Sequence, residues 1–468
     1  MKVLVTSCDW VVTMGDTGTE IPGGSLLFDD GVITWVGTGE PAASSGARRI
    51  DGRGAIALPG LINSHHHLFQ TLTRVRATDQ GLFGWLRALY PIWAGIDEEW
   101  TWAAARVGLA ELALSGCATT TDHHYVFPRS SNGLDLLSAT ITAAQEIGLR
   151  FHPCRGAMDL GESAGGLPPD IIVQDTDDIL AQTDEAVRRF HDPSPGAMLR
   201  VAIAPCSPFS VTPRLMREAA DQARRLGVRL HTHIAETLDE DAYCLATFNR
   251  RPIELLDDLG WLGPDVWLAH CVHLRDRGIH RMAANATGTA WCPTSNMRLG
   301  SGIAPVRALL DAGAPVGIGV DGSASNDGGH LLAEARMGML VSRLSAAGAP
   351  GPRGASNTRG LSAREALRVA TRGGAACLGR DDIGSLEVGK RADLALFSTG
   401  GLSYAGAETD PIAALIHCSP QRVRDLFVEG HEVVRDGRLT HADEDAIAGD
   451  GRRIARRIAA AGSGSTRA

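Results

Sequence analysis

Lysine is nearly missing from this chain: of its 45 basic residues, only Lys2 and Lys390 are lysines. Long apolar runs are missing too. No stretch approaches the roughly 20 residues that a membrane span needs, and Met1 to Trp10 lacks the apolar centre of a signal peptide. The expectation is a cytoplasmic protein with no membrane partner. Positive charge is in deficit, with 45 Lys and Arg against 54 Asp and Glu and a net charge of −9. That balance argues against a nucleic-acid surface, which would be basic. Paired cysteines are absent as well. The nine cysteines are odd in number, scattered and without a Cys-x-x-Cys spacing, and read as reduced thiols.

What is present is an ordinary globular composition, 44% apolar and 21% charged, in 468 residues. That length exceeds the usual single core, so one large domain with a smaller one is expected. Residues 1–57 read as short strands, with Asp29-Asp30-Gly31 as a hairpin turn. Residues 384–440 have the same character, so both ends are read as one split β-sandwich domain. Between them, 58–383 alternates apolar strands with helical stretches. The strands are Leu58–His65, Ala118–His123, Arg150–Arg155, Leu199–Ala204, Val228–His233, Val266–His270, Gly288–Cys292 and Pro315–Val320. Eight repeats of strand and helix predict an α/β fold, a (β/α)₈ barrel whose chemistry sits at the C-terminal strand ends. Residues 441–468 read as a helix from Asp443 to Ala459 and a flexible tail from Gly462.

Polar residues gather at those strand ends. The apolar run Ala55–Ile62 leads into His65-His66-His67, and strand alternation turns His65 and His67 to one side and His66 to the other. Two imidazoles so spaced can grip a divalent ion, zinc among them. Further on, His231 and His233 share a face, with Glu236 just beyond. A histidine can ligate metal there while a carboxylate three residues on moves protons for a bound water. His270 ends the sixth strand, as a functional or a packed histidine. Asp321 follows the eighth, facing the mouth or capping the turn at Gly322.

Pro59-Gly60-Leu61-Ile62-Asn63-x-His65-x-His67, His233-x-x-Glu236, His270 and Gly319-Val320-Asp321 together resemble the amidohydrolase superfamily. The likeness spans nearly the whole chain, including the split β-domain and the Gly384–Asp393 segment. It is strongest to the branch of purine, pterin and triazine deaminases. That resemblance implies one metal per chain, usually Zn²⁺, on His65, His67, His233 and Asp321, with His231 in support. It gives Glu236 the proton transfers, Asp321 the proton of the attacking water, and His270 the steadying of developing charge. Binuclear members typically bridge two metals with a carboxylated lysine on the fourth strand. The corresponding segment Arg200–Phe209 has none, which favours a mononuclear site.

Segments such as Leu82–Leu86, Leu89–Trp93, Thr121–Tyr125, Ala204–Ser210 and Cys292–Leu299 resemble the 8-oxoguanine deaminase group within the branch. His124 departs from it. The implied reaction is hydrolysis of 8-oxoguanine to urate and ammonia. Isoxanthopterin, guanine and triazines, with amino or chloro leaving groups, are the alternatives. A non-catalytic barrel would be a different class, and the complete residue set speaks against it. A planar ring needs aromatic faces and a few polar partners. Gln70, Tyr90, Trp93 and Cys206 are the candidates for contact, with Trp85 an alternative stacker. The aromatics and Cys206 read equally as core. His66, His123 and His124 read as supporting or packing groups, and the resemblance also implies a homo-oligomer.

Overall fold

The computed structural model describes residues 1–129, 131–347 and 360–464. Eight strands close into one parallel barrel. In chain order they are β1 (Leu61–Asn63), β2 (Cys117–His124), β3 (Arg150–Ala157) and β4 (Ala202–Pro205). They continue as β5 (Arg229–Ile234), β6 (Val266–His270), β7 (Gly288–Trp291) and β8 (Val316–Ile318). β1 lies between β8 and β2, which closes the ring. Strand residues are buried almost without exception, because side chains fill the interior and helices cover the outside.

The expected single strand over Ala55–Ile62 is two. Ala55–Pro59 pairs antiparallel with Leu394–Ser398 in the small domain, and β1 starts only at Leu61. Gly60 is the joint. A Cβ there would lie 2.3 Å from the Ala118 Cβ, so only glycine lets the chain press onto β2 as it turns. The small domain is built from both chain ends. Its four-stranded sheet comes from the first end alone, and its seven-stranded sheet joins three strands from the first end to four from the second. Val3, Val5, Leu26 and Phe28 of one sheet face Ala57, Leu394, Leu396 and Phe427 of the other.

A buried ion network ties this domain to the barrel. Arg150 at the start of β3 is fully buried and donates to both Asp393 carboxylate oxygens at 3.0 Å and to Glu429 at 2.6 Å. The C-terminal helix runs Glu444–Gly464, so its backbone extends past Ala459 into the expected tail. Residues 465–468 of that tail lie outside the described residues. Ile454 and Ile458 of this helix pack with Trp100, and Arg453 and Arg457 pair with Glu99 at 2.7 and 2.9 Å. Among the described residues no helix is long and apolar enough to cross a membrane.

Candidate active site

The C-terminal ends of β1, β5, β6 and β8 bring His65, His67, His233, Glu236, His270 and Asp321 to one point, each at most 8% exposed. β1 ends at Asn63, so the first two histidines lie beyond the strand rather than on it. Their alternation persists because the backbone keeps bonding to both neighbours. Ser64 N–H donates to Ile318 O at 2.9 Å, His123 N–H to His66 O at 2.7 Å, and Asp321 N–H to His65 O at 3.1 Å. The His66 ring therefore faces the outer helix at Gly108.

Backbone carbonyls set the tautomers. His67 Nδ1–H donates to His123 O and His233 Nδ1–H to Cys206 O, both at 2.7 Å. His231 Nδ1–H donates to Trp267 O at 2.8 Å, which leaves its Nε2 to accept from His65 Nδ1–H at 2.8 Å. The Nε2 atoms of His65, His67 and His233 are thus bare lone pairs. Those of His67 and His233 stand 3.0 Å apart, and those of His65 and His67 each lie 3.3 Å from Asp321 Oδ1. His65 Nε2 has no hydrogen-bond partner. Four acceptors converging on one point repel unless a cation lies among them. Three imidazoles and a carboxylate fit a divalent metal, zinc foremost.

Two of the six groups sit on strained turns. His270 and Asp321 have φ of 71° and 63°, the left-handed region that non-glycine residues avoid. His270 Nδ1 accepts from Asn296 at 3.0 Å, so its Nε2–H points toward Glu236 Oε2 at 3.6 Å. Burial pushes His270 down to about 3, which keeps the ring neutral. Burial, then the Asp321 charge, pushes the Glu236 carboxyl well above its ordinary range, so it can hold a proton at neutral pH. The Glu240 carboxylate clamps the turn that presents Glu236, accepting from the N–H groups of Ala235 and Glu236 at 2.8 Å each.

A narrow cavity opens over these groups, and Gln70, Trp85, Tyr90 and Cys206 stand on its wall. Trp93 does not, which corrects its expected substrate contact. Its indole N–H donates to Thr73 at 3.2 Å and its ring packs edge-on against Phe69 and Trp85, in the layer behind the wall. Gln70 Nε2 reaches Tyr125 Oη at 3.4 Å, while its Oε1 is buried without a partner. Gly322 makes room for that amide: a Cβ would stand 1.9 Å from Gln70 Oε1. Burial pushes the Cys206 thiol up to about 12.

His123 stacks on His233 at 4.7 Å, and His124 packs between Phe69 and Phe127 with Nε2 bonded to Val126 O. Sequence reasoning missed Asn296, Glu240, Tyr125 and Ser325, whose hydroxyl donates to Asp321 Oδ2 at 3.3 Å. Glu240 had a readable signal in Thr237-x-x-Glu240, the spacing of a capping box. Asn296 had none beyond its helix-start position after β7.

The fold and site define a class. A model of the amidohydrolase family matches residues 56–433, and the chain belongs to that family. Its relatives make it a metal-dependent aminohydrolase. It is 44% identical to 8-oxoguanine deaminase of Pseudomonas aeruginosa, over 95% of each chain. It is 37% identical to hydroxydechloroatrazine ethylaminohydrolase of Pseudomonas sp. strain ADP, over 97% of this chain and 95% of that one. Among solved structures it matches the zinc-complexed atrazine chlorohydrolase of Arthrobacter aurescens TC1 with a TM-score of 0.91. The identity there is 35%, covering 97% of this chain and 100% of that one.

Proposed function

We propose that this protein hydrolyses 8-oxoguanine to urate and ammonia with one divalent metal, Zn²⁺, held by His65, His67, His233 and Asp321. A metal so held supplies a water acidic enough to attack at neutral pH. The chain does the rest. Glu236, protonated through burial, delivers its proton to the ring nitrogen beside the carbon that bears the amino group. Asp321, held by Gly322 N–H at 2.7 Å, receives the proton lost by the attacking water. The neutral His270 N–H steadies the oxygen that becomes the ring carbonyl. The C–N bond then breaks, and ammonia leaves with a proton returned through Glu236.

Gln70 carries the choice of ring. Its buried, unpartnered Oε1 at the cavity wall calls for an N–H donor in the plane of the substrate, and an oxidised purine presents N–H groups on both rings. Trp85 and Tyr90 close the pocket with aromatic surface, and the neutral Cys206 thiol can meet a ring oxygen. Ammonia release by zinc-loaded protein, measured on 8-oxoguanine, guanine, isoxanthopterin and an aminotriazine, tests the reading. The expected result is a kcat/KM above about 10⁴ M⁻¹s⁻¹ on 8-oxoguanine, ahead of the others. E236Q should lose roughly 10²- to 10⁴-fold in rate while keeping its zinc. A different ring in first place overturns the substrate assignment.

A further inference from the structure

The barrel has a second opening at its N-terminal end, opposite the active site. A solvent-connected cavity of about 450 Å³ lies beneath β4 and β5. Arg200, Arg224, Arg229, His152 and His191 line it, and Asp265 is its one acidic lining residue. Asp265 is already engaged by Arg224 Nε at 3.1 Å. Nearby Arg380 is matched by Asp382 at 2.7 Å, and Arg150 by Asp393 and Glu429. Arg200 and Arg229 are left. Among the described residues, neither makes an ion pair.

Their hydrogen bonds use only part of each guanidinium. Arg229 Nε donates to Cys377 O at 3.1 Å. Arg200 donates through one terminal nitrogen to Pro193 O and Ser194 O, and its Nε is buried with no partner. Capping carbonyls therefore accounts for one nitrogen on each and leaves the other donors without a protein partner on two residues that line the cavity. His191 Nδ1 accepts from Val201 N–H at 3.1 Å, so its Nε2–H is a further donor on the same wall. Two partly buried cations on the lining of one cavity lose hydration, a cost that an anion bound between them offsets. The neighbourhood registers this field: burial, then Arg380, Arg200, Arg150 and Arg229, hold His152 well below the usual histidine range.

We propose that this basal cavity binds a phosphate-type oxyanion between Arg200 and Arg229. A planar fork of N–H donors matches tetrahedral oxyanions at two oxygens, and two forks with an imidazole N–H saturate one phosphoryl group. Free phosphate and a phosphomonoester share this chemistry. Trp267 is among the lining residues, and the space not taken by the phosphoryl group accommodates the ester's organic part.

Calorimetric titration of the zinc-loaded full chain with inorganic phosphate, and separately with glycerol phosphate, tests the site. The expected result is saturable binding of one anion per chain with a Kd below about 1 mM. R200Q and R229Q should each weaken it at least about tenfold, as loss of a charge-assisted donor pair does. Stronger binding of the ester than of phosphate identifies a phosphorylated metabolite; equal binding identifies the free ion. Persistence of full affinity in the R200Q/R229Q double variant places the anion elsewhere and overturns the proposal, as does no saturable heat to about 10 mM. Should the variants fail to fold, anomalous diffraction from tungstate-soaked wild-type crystals decides. A peak between the two guanidinium groups supports the site, and no peak there rejects it.

Discussion

His231 holds no position among the four converging acceptor atoms, yet its ring decides what His65 can offer them. Because its Nδ1–H is committed to Trp267 O, its Nε2 fixes the His65 tautomer. H231A should therefore lower zinc affinity by about 10- to 100-fold, as lost support of a ligating histidine does. Competition with a chelator measures this; unchanged affinity would show that His65 holds its tautomer unaided. The residue types at this site were legible because they stand together at strand ends, where few other reasons place three histidines. Which ring nitrogen each presents was not, because that depends on the carbonyls of His123, Cys206 and Trp267, far away in the chain. Trp93 was misplaced for a related reason. An aromatic helix such as Leu82–Trp93 has two apolar faces, and composition does not tell the wall from the layer behind it.

At the scale of elements, the eight barrel strands were readable because strands buried on both faces become continuous apolar runs. The break at Gly60 was not, since Ala55–Ile62 is uniformly apolar and the reason for the break is an atom of Ala118. Helix 444–464 was expected to end sooner, and its pairing with Glu99 and packing on Trp100 are tertiary facts. Arg150 shows what joins the two parts of the molecule. R150A would leave Asp393 buried without its countercharge, while Glu429 keeps Arg391, so unfolding free energy should fall by about 3–5 kcal/mol. Denaturant titration checks it. The histidine cluster lies at the other end of the barrel, so kcat should stay within about twofold; a large fall in kcat would show that the joint also shapes the site.

For the whole molecule, acid sensitivity is a sum of opposing groups. Burial raises Asp122 and Glu240 to about 7, so the folded state binds their protons first and gains stability as pH falls toward 4.5. Burial lowers His124 to about 3, which acts the other way. Its contribution is whole above the unfolded value of about 6.5 and is lost progressively as pH falls toward 3. Comparing H124F with the parent isolates this group, because the other terms cancel. From pH 7.5 to 5.5 the difference should move by about 1.4 kcal/mol in favour of the variant. A pH-independent difference would mean that His124 titrates normally.

The scarcity of lysine has a practical side. Lys2 and Lys390 both belong to the small domain, and Met1 supplies the remaining primary amine beside Asp29 and Asp30. Lys390 stands near Gly379 and Arg380, away from the active-site mouth, and no amine lines that mouth. Coupling this protein to a solid support through amine-reactive esters would therefore grip it by its small domain in nearly every copy. Immobilised molecules would present their catalytic openings to the solution, and heavy labelling would leave turnover intact.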